Sequence, residues 1–182
     1  MWLGIKGGFF MPKNKLNLRF LTITAMMTAL SIIVERFIVP TFQGQPFRID
    51  FGNIPILICA FVCGPVYGAL CGVLGDVLGC FFNNYAPFLP LTVSPFLVGF
   101  IPGLFSKRHK SETSYFISIF VTYVIAEIMW TPFGLCLMKG TPYFAEFVIN
   151  LPAASLQTVV DPIIVFLIFK SHILEKTGVL SK

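Results

Sequence analysis

The chain has few charged residues and almost none of the residue patterns that carry catalysis. Asp, Glu, Lys and Arg make up 12% of its 182 residues, against about 25% in soluble proteins. Its two histidines, His109 and His172, lie outside the apolar runs. Neither the ATPase sequence G-x-x-x-x-G-K-[ST] nor the hydrolase sequence G-x-S-x-G occurs. These absences argue against a soluble domain, an ATPase and a hydrolase.

Cysteine is present but not in a metal-binding arrangement. None of the cysteines forms a C-x-x-C pair, and zinc sites require clusters of Cys and His. We therefore predict no metal site and interpret the cysteines as small residues of the core or of the lipid-facing surface. They are Cys59, Cys63, Cys71, Cys80 and Cys136.

Hydrophobic residues dominate the composition, at 56%, with a mean hydropathy of +0.85. A membrane-spanning helix needs roughly 20 apolar residues, so this length allows five or six spans and no separate soluble domain. The sequence predicts an all-α integral membrane protein, a compact bundle of six transmembrane helices. The predicted spans lie near 20–40, 54–63, 65–82, 88–105, 115–137 and 151–169, and the second is short for a bilayer.

Lys and Arg are distributed unevenly between the predicted loops. Ten of the thirteen lie in three segments: before the first span, between the fourth and fifth, and after the sixth. An even number of spans places these segments on one side, and the positive-inside rule makes that side cytoplasmic. We predict a multi-pass protein of the plasma membrane with a cytoplasmic N-terminal segment (1–18), a six-helix membrane domain (19–172) and a cytoplasmic tail (173–182).

Glycines recur in the third predicted span. Gly64, Gly68 and Gly72 are four residues apart, and Gly75 and Gly79 follow. Small residues at this spacing let helix backbones approach closely in lipid, which predicts tight packing within the bundle.

Ionisable residues inside predicted spans are the first candidates for function, because a charge at the bilayer centre costs about 2.5–3.5 kcal/mol on insertion scales. Asp76, Glu127 and Asp161 lie within spans, and Glu35 and Arg36 lie near the outer end of the first. Asp76 and Asp161 are equally well explained as buried structural hydrogen-bonding groups. Glu35 and Arg36 can also extend to the membrane surface.

The predicted outer face combines aromatic residues with the cations Arg36, Arg48 and Lys139. Such a surface suits a flat, partly anionic organic molecule, because rings stack and a guanidinium pairs with a carboxylate. Trp130 follows Glu127 by three residues, which places both on roughly one face of an α-helix. A carboxylate beside an aromatic ring can hold the amino and ring N–H groups of a heterocycle, although Trp130 also fits an interfacial belt.

Three stretches resemble a known family. The run FGNIPILICAFVCGPVYGALCGVLGDVLG, with ALSIIVERF before it and YAPFLPLTVSPFLVGFIPGLF after it, is similar to folate-type S components of energy-coupling factor (ECF) vitamin transporters. The resemblance covers residues 15–170. It implies a substrate-binding subunit without enzymatic activity or a cofactor of its own. Such a subunit binds a vitamin from outside and joins a membrane coupling subunit that carries two ATPases.

The resemblance also assigns residues. Arg36 and Trp130 match the arginine and tryptophan that hold the pterin ring, and Ala25 and Ala29 match an A-x-x-x-A motif that contacts the coupling subunit. The sequence departs from the family at AEIMW and INLPAAS, where an Asn-Thr pair and an arginine are frequent. The predicted substrate-binding residues are Arg36, Trp130, Glu127, Arg48, Phe47, Tyr85 and Asn84.

Folate is the expected ligand, and a cationic mouth formed by Arg48 and Lys139 would suit its glutamyl carboxylates. Another small vitamin, such as pantothenate, a pyrimidine or a modified-base precursor, is the alternative within the same class. A membrane channel or scaffold is the alternative from another class.

Overall fold

The computed structural model describes residues 18–37, 51–82, 86–108 and 112–170. All regular structure within these ranges is helical. In chain order the elements are α1 (Leu18–Phe37), α2 (Asn53–Cys63), α3 (Pro65–Phe82), α4 (Leu89–Arg108), α5 (Glu112–Tyr123), a π-helical segment (Val124–Trp130), α6 (Thr131–Lys139) and α7 (Tyr143–Lys170).

Among the described residues, five helical stretches are long and apolar enough to cross a membrane: α1, α3, α4, the continuous run from α5 to α6, and α7. Helix α2 has 11 residues and spans about 16 Å, roughly half of a 30 Å hydrocarbon core. The all-α class predicted from the sequence is confirmed, and the second helix is as short as expected.

The last helix begins at Tyr143 rather than near residue 151. The preceding turn is brief, because Gly140 adopts a left-handed conformation (φ 69°) that ends α6. The backbone N–H groups of Ala145 and Glu146 then bond to the Pro142 carbonyl. The predicted spans place residues 138–150 in a longer loop, but Lys139 and Glu146 within that stretch pair with each other, as described below.

Helices α3 and α4 pack through their glycines. A Cβ atom on Gly72 would collide with the backbone carbonyl of Pro95, and one on Gly99 would collide with the carbonyl of Gly68. A Cβ on Gly103 would lie 2.6 Å from Cα of Pro65. Gly68 and Gly72 of α3 and Gly99 and Gly103 of α4 therefore serve close helix packing inside the bundle, as the four-residue spacing of the first two predicts.

The core lies between α2, α3, α4 and the fifth span. Its largest fully buried side chains include Leu57, Tyr67, Val98, Ile119 and Tyr123. Cys59 and Cys71 belong to the same cluster, in agreement with the prediction of a core role. Large apolar side chains on α1, α3 and α7 point outward, as lipid-facing side chains do.

Candidate functional site

A cavity of about 240 Å³ lies at one end of the bundle. It is lined by the C-terminal halves of α1 and α3, the first turns of α2 and α4, the π-helical segment with the first turns of α6, and the N-terminal half of α7. Its lining combines acidic, hydroxyl and amide side chains with a few apolar residues. The lining residues are Ser31, Glu35, Gly52, Asn53, Ile56, Gly75, Asp76, Leu91, Ser94, Pro95, Glu127, Thr131, Leu135, Asn150 and Gln157.

The Glu127 carboxylate in this cavity is held by hydrogen bonds from three neighbouring side chains. Its Oε1 accepts hydrogen bonds from Asn53 Nδ2 at 3.4 Å and from Ser94 Oγ at 3.3 Å. Its Oε2 accepts one from Thr131 Oγ1 at 3.2 Å. Donors from three other positions thus hold a carboxylate that would be costly to bury alone.

The π-helical segment determines where Glu127 points. The Ala126 carbonyl accepts from the Thr131 backbone N–H, from Thr131 Oγ1 at 2.9 Å and from Ser94 Oγ at 3.1 Å. These bonds hold the wider turn that i→i+5 hydrogen bonding produces, and such turns are frequent at functional sites. Glu127 therefore faces the cavity from a backbone that departs from the α-helix.

Trp130 lies outside the set of described residues that line this cavity. Its indole N–H donates to the Pro90 carbonyl at 2.7 Å, and its ring lies 5.6 Å from that of Phe133. The three-residue rule that placed Trp130 beside Glu127 assumes an α-helix, and the π-helical turn widens the angle between them.

The remaining intramembrane carboxylates fall into two groups. Asp76 lines the cavity and accepts a 2.6 Å hydrogen bond from Thr92 Oγ1, and Glu35 lines it from α1. Asp161 is fully buried elsewhere in the bundle and accepts a short hydrogen bond from the Tyr123 hydroxyl. The structural interpretation therefore suits Asp161, whereas Asp76 belongs to the site.

Five of the predicted binding side chains lie outside the part of the chain that the structure describes. Phe47, Arg48, Asn84 and Tyr85 lie outside the described residues, and so does the side chain of Arg36, although its backbone belongs to α1. Ala25 and Ala29, the predicted partner contacts, are both exposed on α1.

Sequence reasoning missed the neutral polar residues of the site. Asn53, Ser94 and Thr131 surround Glu127, and Asn150 and Gln157 line the cavity from α7. The sequence does contain a signal for Asn150 and Gln157: they are seven residues apart, and residues at that spacing lie on one face of a helix. Single hydroxyl or amide groups within apolar segments gave no comparable pattern.

Lys139 and Glu146 close the turn between α6 and α7. Lys139 Nζ lies 3.1 Å from Glu146 Oε1, and the Thr141 hydroxyl donates to the same oxygen at 3.0 Å. The Glu146 side chain is 6% exposed and that of Lys139 47%. The Lys139 cation, expected from the sequence to attract a ligand, is thus partnered within the protein.

We expect Lys139→Ala to destabilise the folded protein by about 1–3 kcal/mol, because it removes the cation beside a buried carboxylate. Adding Glu146→Gln should restore part of this loss. Unfolding midpoints of the two single variants and the double variant measure the coupling, which is expected to be about 0.5–3 kcal/mol. Strict additivity would contradict a stabilising pair.

Comparison with known proteins agrees with this architecture. A family model described as "ECF transporter, substrate-specific component" matches residues 19–174. The folate transporter FolT of Clostridium novyi (strain NT) is 26% identical over 144 residues, which cover 78% of this chain and 83% of that protein. An uncharacterised Mycoplasma pneumoniae protein is 24% identical over 143 residues, 71% of this chain and 50% of that protein.

The fold is also shared with a solved structure. The crystal structure of FolT bound with folic acid superposes with a TM-score of 0.72 at 22% identity, covering 83% of this chain and 92% of that one. A helical membrane bundle with a polar cavity at one end defines a membrane protein that binds a small solute. The chain belongs to the family of substrate-specific components of ECF transporters. It is therefore a multi-pass plasma-membrane protein whose role is substrate binding for transport.

Proposed function

We propose that the protein binds folate and delivers it to an ECF coupling subunit. The observation that carries this proposal is Glu127, held by Asn53, Ser94 and Thr131 in a polar cavity. The fold around that cavity is that of the FolT protein solved with folic acid. The name and sequence of the Clostridium relative support the same ligand.

The cavity faces the outside in the topology we propose. In that topology α2 counts as the second of six spans, and both termini are cytoplasmic. The support is the charge distribution along the sequence: ten of the thirteen Lys and Arg residues lie before or at the start of α1, between the last turn of α4 and the start of α5, or from the last residue of α7 onward, and basic residues mark the cytoplasmic side. Substrate would then enter at the opposite end, where the cavity lies.

Transport in this proposal depends on partners. Two ATPases bound to the coupling subunit hydrolyse ATP, and this chain contributes no cofactor or catalytic residue. Ala25 and Ala29 contact the coupling subunit through the exposed side of α1. Small residues four apart allow another helix to approach closely in lipid, which supports this assignment.

Within the site, Glu127 binds the amino and ring N–H groups of the pterin. Trp130 and Arg36 complete the contacts to the ring. Phe47, Arg48, Asn84 and Tyr85 surround the remainder of the ligand, as proposed from the sequence.

Two measurements test folate as the substrate. Mass spectrometry of the protein purified from its native membrane should detect a folate among the molecules bound to it. Calorimetry with a panel of vitamins should then show saturable one-to-one binding of folate and much weaker binding of pantothenate and pyrimidines. A different copurified vitamin, or no saturable binding of folate, would overturn the proposal.

Trp130 supplies a further prediction. Trp130→Ala should weaken folate binding about 10- to 100-fold, because stacking of a base on an aromatic side chain contributes about 1–3 kcal/mol to the binding free energy. Trp130→Phe keeps a ring but loses the hydrogen bond to Pro90, so it should retain most of the affinity if stacking is the role. Arg36→Ala is expected to be as damaging as Trp130→Ala. Unchanged calorimetric affinity in both alanine variants would remove these two residues from the site.

A further inference from the structure

We propose that Cys59, Cys63 and Cys71 form a reversible thiol–disulfide site. A small two-electron oxidant reacts first at Cys63, and the final product is a Cys59–Cys71 cross-link between α2 and α3. None of the three cysteines is among the residues that line the cavity at Glu127. The inference is therefore independent of the identity of the vitamin.

Cys59 lies between two other sulfur atoms. Its side chain is in hydrogen-bond contact with that of Cys63, four residues later in α2, and with that of Cys71 in α3. All three are free thiols. Thiol–disulfide exchange proceeds through a mixed disulfide, in which a central sulfur bonds in turn to each of two neighbours. Cys59 is thus placed to form a bond with Cys63 first and with Cys71 afterwards.

The three thiols differ in how readily a dissolved reagent can reach them. Cys59 and Cys71 are 0% exposed. Cys63 is half-buried and ends α2, next to the turn at Gly64. Buried thiols in apolar surroundings are chemically inert, so a water-soluble oxidant reacts first at Cys63.

Helix geometry favours the cross-link between helices over one within α2. Cβ atoms four residues apart in a helix are about 5–6 Å apart, whereas a disulfide needs about 3.5–4.5 Å. A Cys59–Cys63 bond is therefore strained and short-lived. The backbones of α2 and α3 approach closely beside Cys59, because a Cβ on Gly68 would lie 2.8 Å from Cα of Ala60. Cys71 follows Gly68 by one helical turn and can accept the bond from Cys59.

The site lies toward the end of the bundle at which α1 begins. The ring of Phe20, in the first turn of α1, lies 5.7 Å from that of Tyr67, in the first turn of α3. Helix α2 ends at the turn that starts α3. In the topology proposed above this end is cytoplasmic, where thiols are kept reduced. The dithiol is then the resting form, and the disulfide is the form that oxidative stress produces.

Every step balances with a diazene dicarboxamide as the oxidant. The Cys63 sulfur adds to one nitrogen of the N=N bond, and the other nitrogen takes the proton that Cys63 releases. The Cys59 sulfur then attacks the Cys63 sulfur, the S–N bond breaks, and a hydrazine leaves with the proton of Cys59. The Cys71 sulfur attacks that of Cys59, and Cys63 leaves as a thiol with the proton of Cys71. Two thiols are oxidised to one disulfide, and the diazene is reduced to the hydrazine.

The experiment treats the purified full-length protein with diamide, a reagent of this class, at neutral pH. Remaining thiols are alkylated in denaturant, and peptides of the monomer are mapped by mass spectrometry without reduction. We expect one link, between the peptides that contain Cys59 and Cys71. Two of the five cysteines should escape alkylation, and dithiothreitol should restore both. Alkylation of all five, or another pairing as the main product, would overturn the inference.

Serine variants test the order of the steps. Cys63→Ser should still form the Cys59–Cys71 link, but at least about tenfold more slowly, because the oxidant must then reach a buried thiol. The matched control is Cys136→Ser. Cys136 is half-buried like Cys63, but its helix α6 packs against α4, α7 and the π-helical segment, none of which contains a cysteine. The control should oxidise at the parental rate, and an equally fast Cys63→Ser would contradict the first step of the proposal.

Discussion

Replacing Ala25 with arginine is expected to abolish folate uptake while leaving folate affinity within about twofold of the parent value, as for other surface substitutions. Ala25 is exposed on α1 and does not line the cavity. A long cationic side chain would prevent close approach of a partner helix at the small-residue pair. Calorimetry measures the binding, and vesicles containing the coupling subunit and ATPases measure the uptake.

Placing an arginine at any lipid-facing position costs about 2.5–3.5 kcal/mol of insertion free energy. The control variant must therefore carry an arginine at another lipid-facing position. Val159 is 59% exposed on α7, away from Ala25, and Val159→Arg is expected to retain uptake. If both variants lose uptake to the same extent while still binding folate, the effect is not specific to the A-x-x-x-A pair. Full uptake by Ala25→Arg would exclude this face as the contact.

Gly72→Ala should strongly destabilise the fold, by about 1–3 kcal/mol or more. The added methyl group would collide with the backbone of Pro95, and neither helix can yield there without separating. Gly75→Ala is the matched control one turn later in the same helix. Its Cβ would meet Ser31 Oγ at an ordinary 3.6 Å, and alanine is the better helix former.

Thermal unfolding of the two purified variants in one detergent distinguishes these cases. Gly72→Ala should unfold well below the parent protein, and Gly75→Ala at or above it. Equal midpoints would mean that the α3–α4 contact is looser than the geometry indicates.

Most helices could be predicted because hydropathy and turn residues mark them directly. Pro65 and the glycine at 64 define the start of α3, and its predicted range, 65–82, is the one observed. The beginning of α7 could not be predicted in this way. The predicted spans place residues 138–150 between helices, whereas in the structure α7 begins at Tyr143 and its Glu146 carboxylate accepts hydrogen bonds from Lys139, Thr141 and Asn150.

The sequence predicted part of the site, namely Glu127, but not the orientation of its side chain. Glu127 stands out because an ionisable residue within an apolar span is costly, and the structure places it in the cavity. Its orientation depends on the π-helical turn, which arises from tertiary contacts of Ser94 and Thr131 with the Ala126 carbonyl. No periodicity in the sequence encodes such a turn, so Trp130 was expected on the same face as Glu127.

The shortness of α2 has an electrostatic consequence. Helices α2 and α3 meet at Gly64, yet α3 has 18 residues and α2 only 11, so α2 stops about 10 Å before its neighbour. Its amino end therefore lies at the cavity floor, where Gly52, Asn53 and Ile56 line the space. The aligned peptide dipoles place about half a positive charge there. A short helix thus both leaves room for a solute and offsets part of the negative charge that Glu127 brings to the membrane interior.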